Sequence, residues 1–160
     1  KTSKRLEKTH ILSNLLKKTQ KEDIEYIIYL VQGRIFPQWD QREIGMSSKL
    51  IIKVLSSVTG DSSNEIEKLW GKEGDLGNVA FILIEKNKQR TLTRNTLTVK
   101  KVMENLRKLA ELEGKGTVNK KVQLVSELLT SAKPIEAKFI VKNVLGILRV
   151  GIAEGILRDC

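Results

Sequence analysis

Gly146-Ile147-Leu148-Arg149-Val150-Gly151-Ile152-Ala153-Glu154-Gly155 packs three glycines and one arginine into ten residues. Glycines allow close backbone approach, and a helix starting near Ile152 would aim its free N–H groups and positive dipole end at an anion. Arg149 could then contact a phosphate or lie in a minor groove. The alternative is structural: Gly146 and Gly151 let two helices meet at a tight corner. A second start of the same kind is Gly45-Met46-Ser47-Ser48-Lys49, with two hydroxyl donors and an ammonium group. Lys120 and Lys121, just after Gly116-Thr117, make a third, with Thr117 as its expected cap.

Covalent chemistry is hard to assemble from what remains. The single His10 has no Cys, Asp or Glu placed to complete a triad or a metal cluster, and reads as a surface histidine. Glu22, Asp23 and Glu25 belong to a helix start, where they complement the dipole. Gly74-Asp75-Leu76-Gly77-Asn78 only loosely resembles a phosphate loop, and Asp75 reads instead as the cap of a helix running to Lys86. No Walker-type glycine-lysine motif and no Lys-x-Asp-Gly is present. No catalytic residue and no metal ligand is assigned, and binding is the expected role.

The charge supports an anionic partner. The formal net charge is +10, and it is unevenly spread. Residues 1–80 hold 13 Lys+Arg against 11 Asp+Glu, whereas residues 81–160 hold 16 against 8. An excess confined to one half points to a polyanion, since a mixed surface would serve solubility alone. Aromatic residues make up 4% of the chain, too few for a platform that stacks single-stranded bases. Cys160, the final residue, excludes an internal disulfide, and no apolar run is long enough to span a bilayer. The chain reads as intracellular, membrane-free and cut from a longer polypeptide.

The elements that must position these groups are helical. Apolar residues recur at helical spacing at Ile11, Leu12, Leu15 and Leu16, at Ile24, Ile27, Ile28 and Val31, at Leu50, Ile51, Val54, Leu55 and Val58, and at Val99, Val102, Met103, Leu106 and Leu109. Thr19 with Glu22 suggests a capping box, Gly60-Asp61-Ser62 a helix break, and Pro134 a first helical turn. The expectation is an all-α fold of about nine helices in one compact domain over 1–160. Its halves, about 10–55 and 123–160, repeat. His10 to Ile35 match Gln123 to Leu148 at a constant offset of 113 residues, with Gly33 on Gly146. After that glycine the offset falls to 106, which leaves Phe36 to Arg42 as an insertion in the first copy. Its Phe36-Pro37-Gln38-Trp39-Asp40 run could stack on bases or plug the space between the halves. Two like halves suggest a pseudo-two-fold body, suited to the two strands of a duplex.

These residues also carry a resemblance. Phe36-Pro37-Gln38-Trp39-Asp40-Gln41-Arg42-Glu43-Ile44-Gly45, Leu69-Trp70 followed by Gly74-Asp75-Leu76-Gly77, Leu97-Thr98, Lys120-Lys121 and Glu136-Ala137-Lys138-Phe139-Ile140 leading into Leu145 to Glu154 resemble the N-terminal DNA-binding domain of ATP-dependent DNA ligases of the archaeal and eukaryotic replicative type. The resemblance implies an all-helical, internally two-fold domain lying across the minor groove of nicked duplex DNA. It implies backbone contacts at Gly146, Arg149, Gly151 and Ala153 and at Ser47, Lys49, Lys120 and Lys121, to which the helix start itself adds Gly45 and Ser48. The parent would act in DNA replication, repair and recombination, with ATP and magnesium held by catalytic domains of the same polypeptide. This chain lacks their adenylated lysine, so the fragment alone is not expected to seal a nick or to need a cofactor. In an archaeal cell such a protein would be cytoplasmic.

Lys86 to Arg94 form a basic loop without helical periodicity, and in archaeal relatives the corresponding stretch carries a short glutamine-plus-aromatics peptide that docks on the sliding clamp. The match here is Gln89-Arg90-Thr91-Leu92-Thr93, with Gln89 and Leu92 in place and the aromatic pair missing. The competing class of function is a helical scaffold for an acidic protein partner. The two readings differ in their preference for duplex over single strand. On the DNA reading, Arg149→Ala weakens duplex binding by about 1–3 kcal/mol, the scale of one charge-assisted contact. Equilibrium titration checks this, and scrambling the base sequence at fixed length should change affinity far less.

Overall fold

The computed structural model describes residues 4–88, 96–114, 116–148, 152 and 154–160. Arg149, Gly151 and Ala153, and with them Gln89 and Leu92 of the clamp-like peptide, lie outside the described residues. Among those described there are nine helices and no strand, so the fold is all-α. No helix of the described residues is long and apolar enough to cross a membrane. The chain divides into two compact units, Lys1–Asp40 with Arg149–Cys160, and Gln41–Leu148.

The first unit holds α1 (Arg5–Lys18), α2 (Lys21–Gln32) and α9 (Glu154–Arg158). Arg5 pairs with Asp159, which fastens the start of α1 to the end of α9. The expected Thr19–Glu22 box does not form. Thr19 instead closes α1, its hydroxyl donating to the Leu15 carbonyl at 2.8 Å, and Gln20 takes the cap position of α2 without a side-chain bond. A hydroxyl one turn past its own helix bonds back to the nearest orphan carbonyl more readily than it serves the next helix. The insertion is split in character, with Phe36 buried and Trp39 81% exposed.

The second unit holds α3 (Ser48–Thr59), α4 (Ser63–Glu73), α5 (Leu76–Lys88), α6 (Val99–Glu111), α7 (Val118–Ser131) and α8 (Pro134–Val144). Its core is made by pairs of helices with apolar stripes at helical spacing. Val79, Ala80, Leu83 and Ile84 of α5 pack against Ala137, Ile140, Val141 and Val144 of α8, while Ile51, Val54 and Leu55 of α3 meet Val125, Leu128 and Leu129 of α7. The buried Asn105 on α6 donates to the Leu124 carbonyl at 3.2 Å and to Glu127 Oε2 at 3.1 Å, tying α6 to α7. Lys101 pairs with the same carboxylate, and these two hydrogen bonds, the lysine's first, hold Glu127 below its usual range.

Helix ends follow the sequence more closely here. Ser62 and Glu65 form a reciprocal capping box, and Pro134 occupies the first position of α8. Asp75 Oδ1 accepts from the amides of Gly77 and Asn78 at 2.7 and 3.2 Å, so it caps α5 as expected. Its other oxygen pairs with Lys142 of α8. Burial raises the Asp75 pKa, but the Lys142 bond and the amides of Asn78 and Gly77 outweigh it and hold the group below its ordinary 3.8. A depressed folded-state value stabilises above the unfolded value and loses that effect as pH falls through the folded one. Asp75→Asn should therefore be less stable than the parent at pH 7, and the gap should close in urea titrations below about pH 4.

The repeat is visible as local structure. The offset of 113 places Arg5–Lys18 on Val118–Ser131 and starts α8 where Lys21 starts α2. Gly33 and Gly146 take left-handed φ of 72° and 67° after α2 and α8. The Arg34 amide donates to the Tyr29 carbonyl at 2.9 Å and the Ile147 amide to the Lys142 carbonyl at 3.0 Å, the same six-to-one bond in both copies. The offset of 106 then carries Ser48, the first residue of α3, onto Glu154, the first of α9.

Candidate nucleic-acid interface

Six of the residues singled out in the sequence come together in the second unit, at the starts of α3 and α7. Ile44 and Met46 are buried and anchor the chain ahead of α3, while Gly45 between them is exposed. Gly45 has φ +57°, where a side chain would be strained. Ser47 caps α3, its hydroxyl accepting from the Leu50 amide at 3.4 Å. The amides of Ser48 and Lys49 point out of the first turn with no partner among the described residues.

The start of α7 differs from expectation. Thr117 sits at the cap position, but its hydroxyl donates to the Gly114 carbonyl at 2.9 Å and accepts nothing from α7. With φ −83° and ψ −12°, Thr117 is already helical in conformation, not in the extended form that turns a cap side chain onto the next amides. The first turn of α7 is thus left without a side-chain cap. Lys121, half-buried in that turn, donates to the carbonyls of Ile44 at 3.1 Å and Gly45 at 3.4 Å. That contact sets the two helix starts side by side.

The charges at this place run against the usual rule. Helix starts favour Asp and Glu, and α1, α2, α4 and α8 carry them in their first turns. The first turns of α3, α5, α6 and α7 have none, and α3 holds Lys49 there and α7 holds Lys120 and Lys121. Lys49 and Lys120 are exposed and have no ion-pair partner among the described residues. By contrast, Lys100 and Lys101 at the start of α6 face Glu104 and Glu127. Two amide-rich helix starts whose lysines face no carboxylate among the described residues concentrate positive charge that suits the oxygens of phosphates.

Gly146 is placed differently. It is the left-handed turn that closes α8, exposed, with nothing near where a Cβ would be. Its amide donates to the Asn143 carbonyl at 3.0 Å, so here the chain offers a helix end; the helix predicted to start near Ile152 is α9, from Glu154, and Arg149, Gly151 and Ala153 ahead of it lie outside the described residues. His10 is exposed and hydrogen-bonds Asn14 at 3.0 Å through Nε2. What sequence reasoning missed is the bond from Lys121 to a turn 77 residues earlier, for which no local pattern exists. The acid-free first turns of α3 and α7 are visible in the sequence itself.

The whole chain, residues 1–160, matches the family described as DNA ligase N terminus. It is 45% identical over 159 residues to a DNA ligase of Methanosphaera stadtmanae, 40% over 159 residues to one of Thermococcus onnurineus, and 42% over 158 residues to one of Nitrosopumilus maritimus. These alignments cover 98–99% of this chain and 27–28% of the relatives. The protein is thus a helical module of the DNA ligase N-terminal family. It spans a little over a quarter of the length of the curated relatives it matches.

Proposed function

We propose that this chain grips duplex DNA by its sugar-phosphate backbone, independent of base sequence, as the DNA-binding part of an ATP-dependent ligase that seals nicks in replication and repair. The observation that carries this reading is the pairing of two helix starts whose first turns hold lysines where acids are the rule. Gly45, Ser47, Ser48, Lys49, Lys120 and Lys121 make up those two starts, and Gly146, Arg149, Gly151 and Ala153, at the matching place in the second copy of the repeat, are proposed to contact the backbone as well. ATP and magnesium fall to the catalytic domains of the same polypeptide, so this chain takes up no covalent AMP from ATP. Docking of Gln89 and Leu92 on a sliding clamp is the accessory role assigned to the basic loop.

Backbone gripping makes a plain demand on solution behaviour. Each neutralised phosphate releases counterions, so log affinity falls linearly with log salt, with a slope of about −0.9 per contact on duplex DNA. Fluorescence anisotropy with nicked duplex, intact duplex and single strand at several salt concentrations tests it. The expected result is preference for duplex with a slope equivalent to several contacts. Equal affinity for duplex and single strand at every salt concentration would reject the reading.

A further inference from the structure

We infer that Lys121 is a positioning residue, whose ammonium holds the Gly45 turn and thereby aims the start of α3, while Lys49, Lys120 and the exposed amides meet the backbone. This rests on the proposed function and assigns Lys121 a different task from its neighbour. An ammonium has three N–H donors and no acceptor. Two of those on Lys121 are directed at the Ile44 and Gly45 carbonyls. A Cβ on Gly45 would lie 3.6 Å from the same nitrogen, so the ammonium sits against the turn itself. The carbonyls it engages belong to the two residues just before Met46 and the Ser47 cap, and the orientation of α3's first amides follows from theirs.

The setting favours a fixed geometry. Ile44 and Met46 are buried on either side of Gly45 and anchor the turn. Upstream, Arg42 lies 3.8 Å from Glu111 at the end of α6, a second tie on the same segment. Lys121 is half-buried, whereas Lys120 beside it is exposed. The Lys121 ammonium is held on the two carbonyls, and turning it onto a phosphate would strip both of their donor.

Amide hydrogen exchange of the DNA-free 1–160 chain, together with salt-dependent titration of duplex, tests this in Lys121→Met, Lys121→Arg and Lys120→Met. In Lys121→Met, exchange at the Leu50 and Ile51 amides, both bonded to Ser47, should rise about tenfold, as local opening becomes easier. Duplex affinity should fall with the salt slope unchanged. In Lys120→Met exchange should stay as in the parent while the slope drops by about one. Lys121→Arg, which still reaches both carbonyls, should restore the parent's exchange. A slope lowered by about one in Lys121→Met, or unchanged exchange at Leu50 and Ile51, overturns the assignment. Should Lys121→Met lose helix throughout the chain, Lys121→Gln, too short to reach the carbonyls, gives the same readings. The exchange measurement needs no DNA, so failure of the parent to bind duplex would reject the proposed function and leave the Lys121 result standing.

Discussion

Lys49→Glu combined with Lys120→Glu weakens duplex binding by about 3 kcal/mol or more, roughly a hundredfold, since two charge-assisted contacts are lost and two repulsions gained. The two side chains stand at adjoining helix starts and have no carboxylate partner among the described residues, so their replacement breaks no internal ion pair. Both new glutamates complement a helix dipole in place of a lysine that opposed it, so stability should hold or rise slightly. The expected pattern is lost affinity, a shallower salt slope and an unchanged or raised melting temperature. Anisotropy titrations and thermal unfolding of the same samples check it. Retention of parental affinity would move the DNA contact away from α3 and α7 altogether.

The other large effect concerns the packing of α5 on α8. Gly77 lies in the first turn of α5, where a Cβ would come within 2.8 Å of Lys142 Cε, 2.9 Å of Asp75 Oδ1 and 2.9 Å of the Lys138 carbonyl oxygen. The lysine end can swing away, but the carbonyl belongs to the middle of α8 and cannot. Gly77→Val should cost about 3 kcal/mol, at the upper end of overpacking effects, and Gly77→Ala somewhat less. Gly71, inside α4 with nothing within 4 Å of its Cβ direction, is the control. There alanine should stabilise by up to about 1 kcal/mol, from helix propensity. Urea unfolding followed by circular dichroism reads both, and a Gly77→Val midpoint equal to the parent's would dispose of the close-packing argument.

The contrast between these glycines shows where sequence reading works. Helix identities were legible because apolar spacing is a local property; the stripes of α3 and α6 are largely buried, as at Ile51, Val54, Leu55, Met103, Leu106 and Leu109, whereas in α1 only Leu12 is buried with Ile11 and Leu15 exposed, and no residue of α2 is fully buried. The aligned segments also share left-handed glycines after α2 and α8. Caps were read less well. Asp75 behaved as its spacing implied, yet Thr19 and Thr117 bonded to carbonyls behind them, a choice made by backbone angles that residue type does not set. The pairing of Lys121 with Ile44 and Gly45, and the tight fit at Gly77, depend on which helices meet. Residue order says nothing direct about that.

Both helix starts rest on side chains that are wholly out of solvent, Ile51, Val54 and Leu55 under one and Val125, Leu128 and Leu129 under the other. Their outward amides are therefore held still before any polyanion arrives, and association freezes little that was free. Little apolar surface changes its hydration in such an encounter either, because the contacts are polar and already exposed. The calorimetric character follows: a heat-capacity change near zero, with a driving force drawn from cations leaving the nucleic acid rather than from ordering of the protein. A grip of that kind is tuned by ionic strength and hardly at all by temperature.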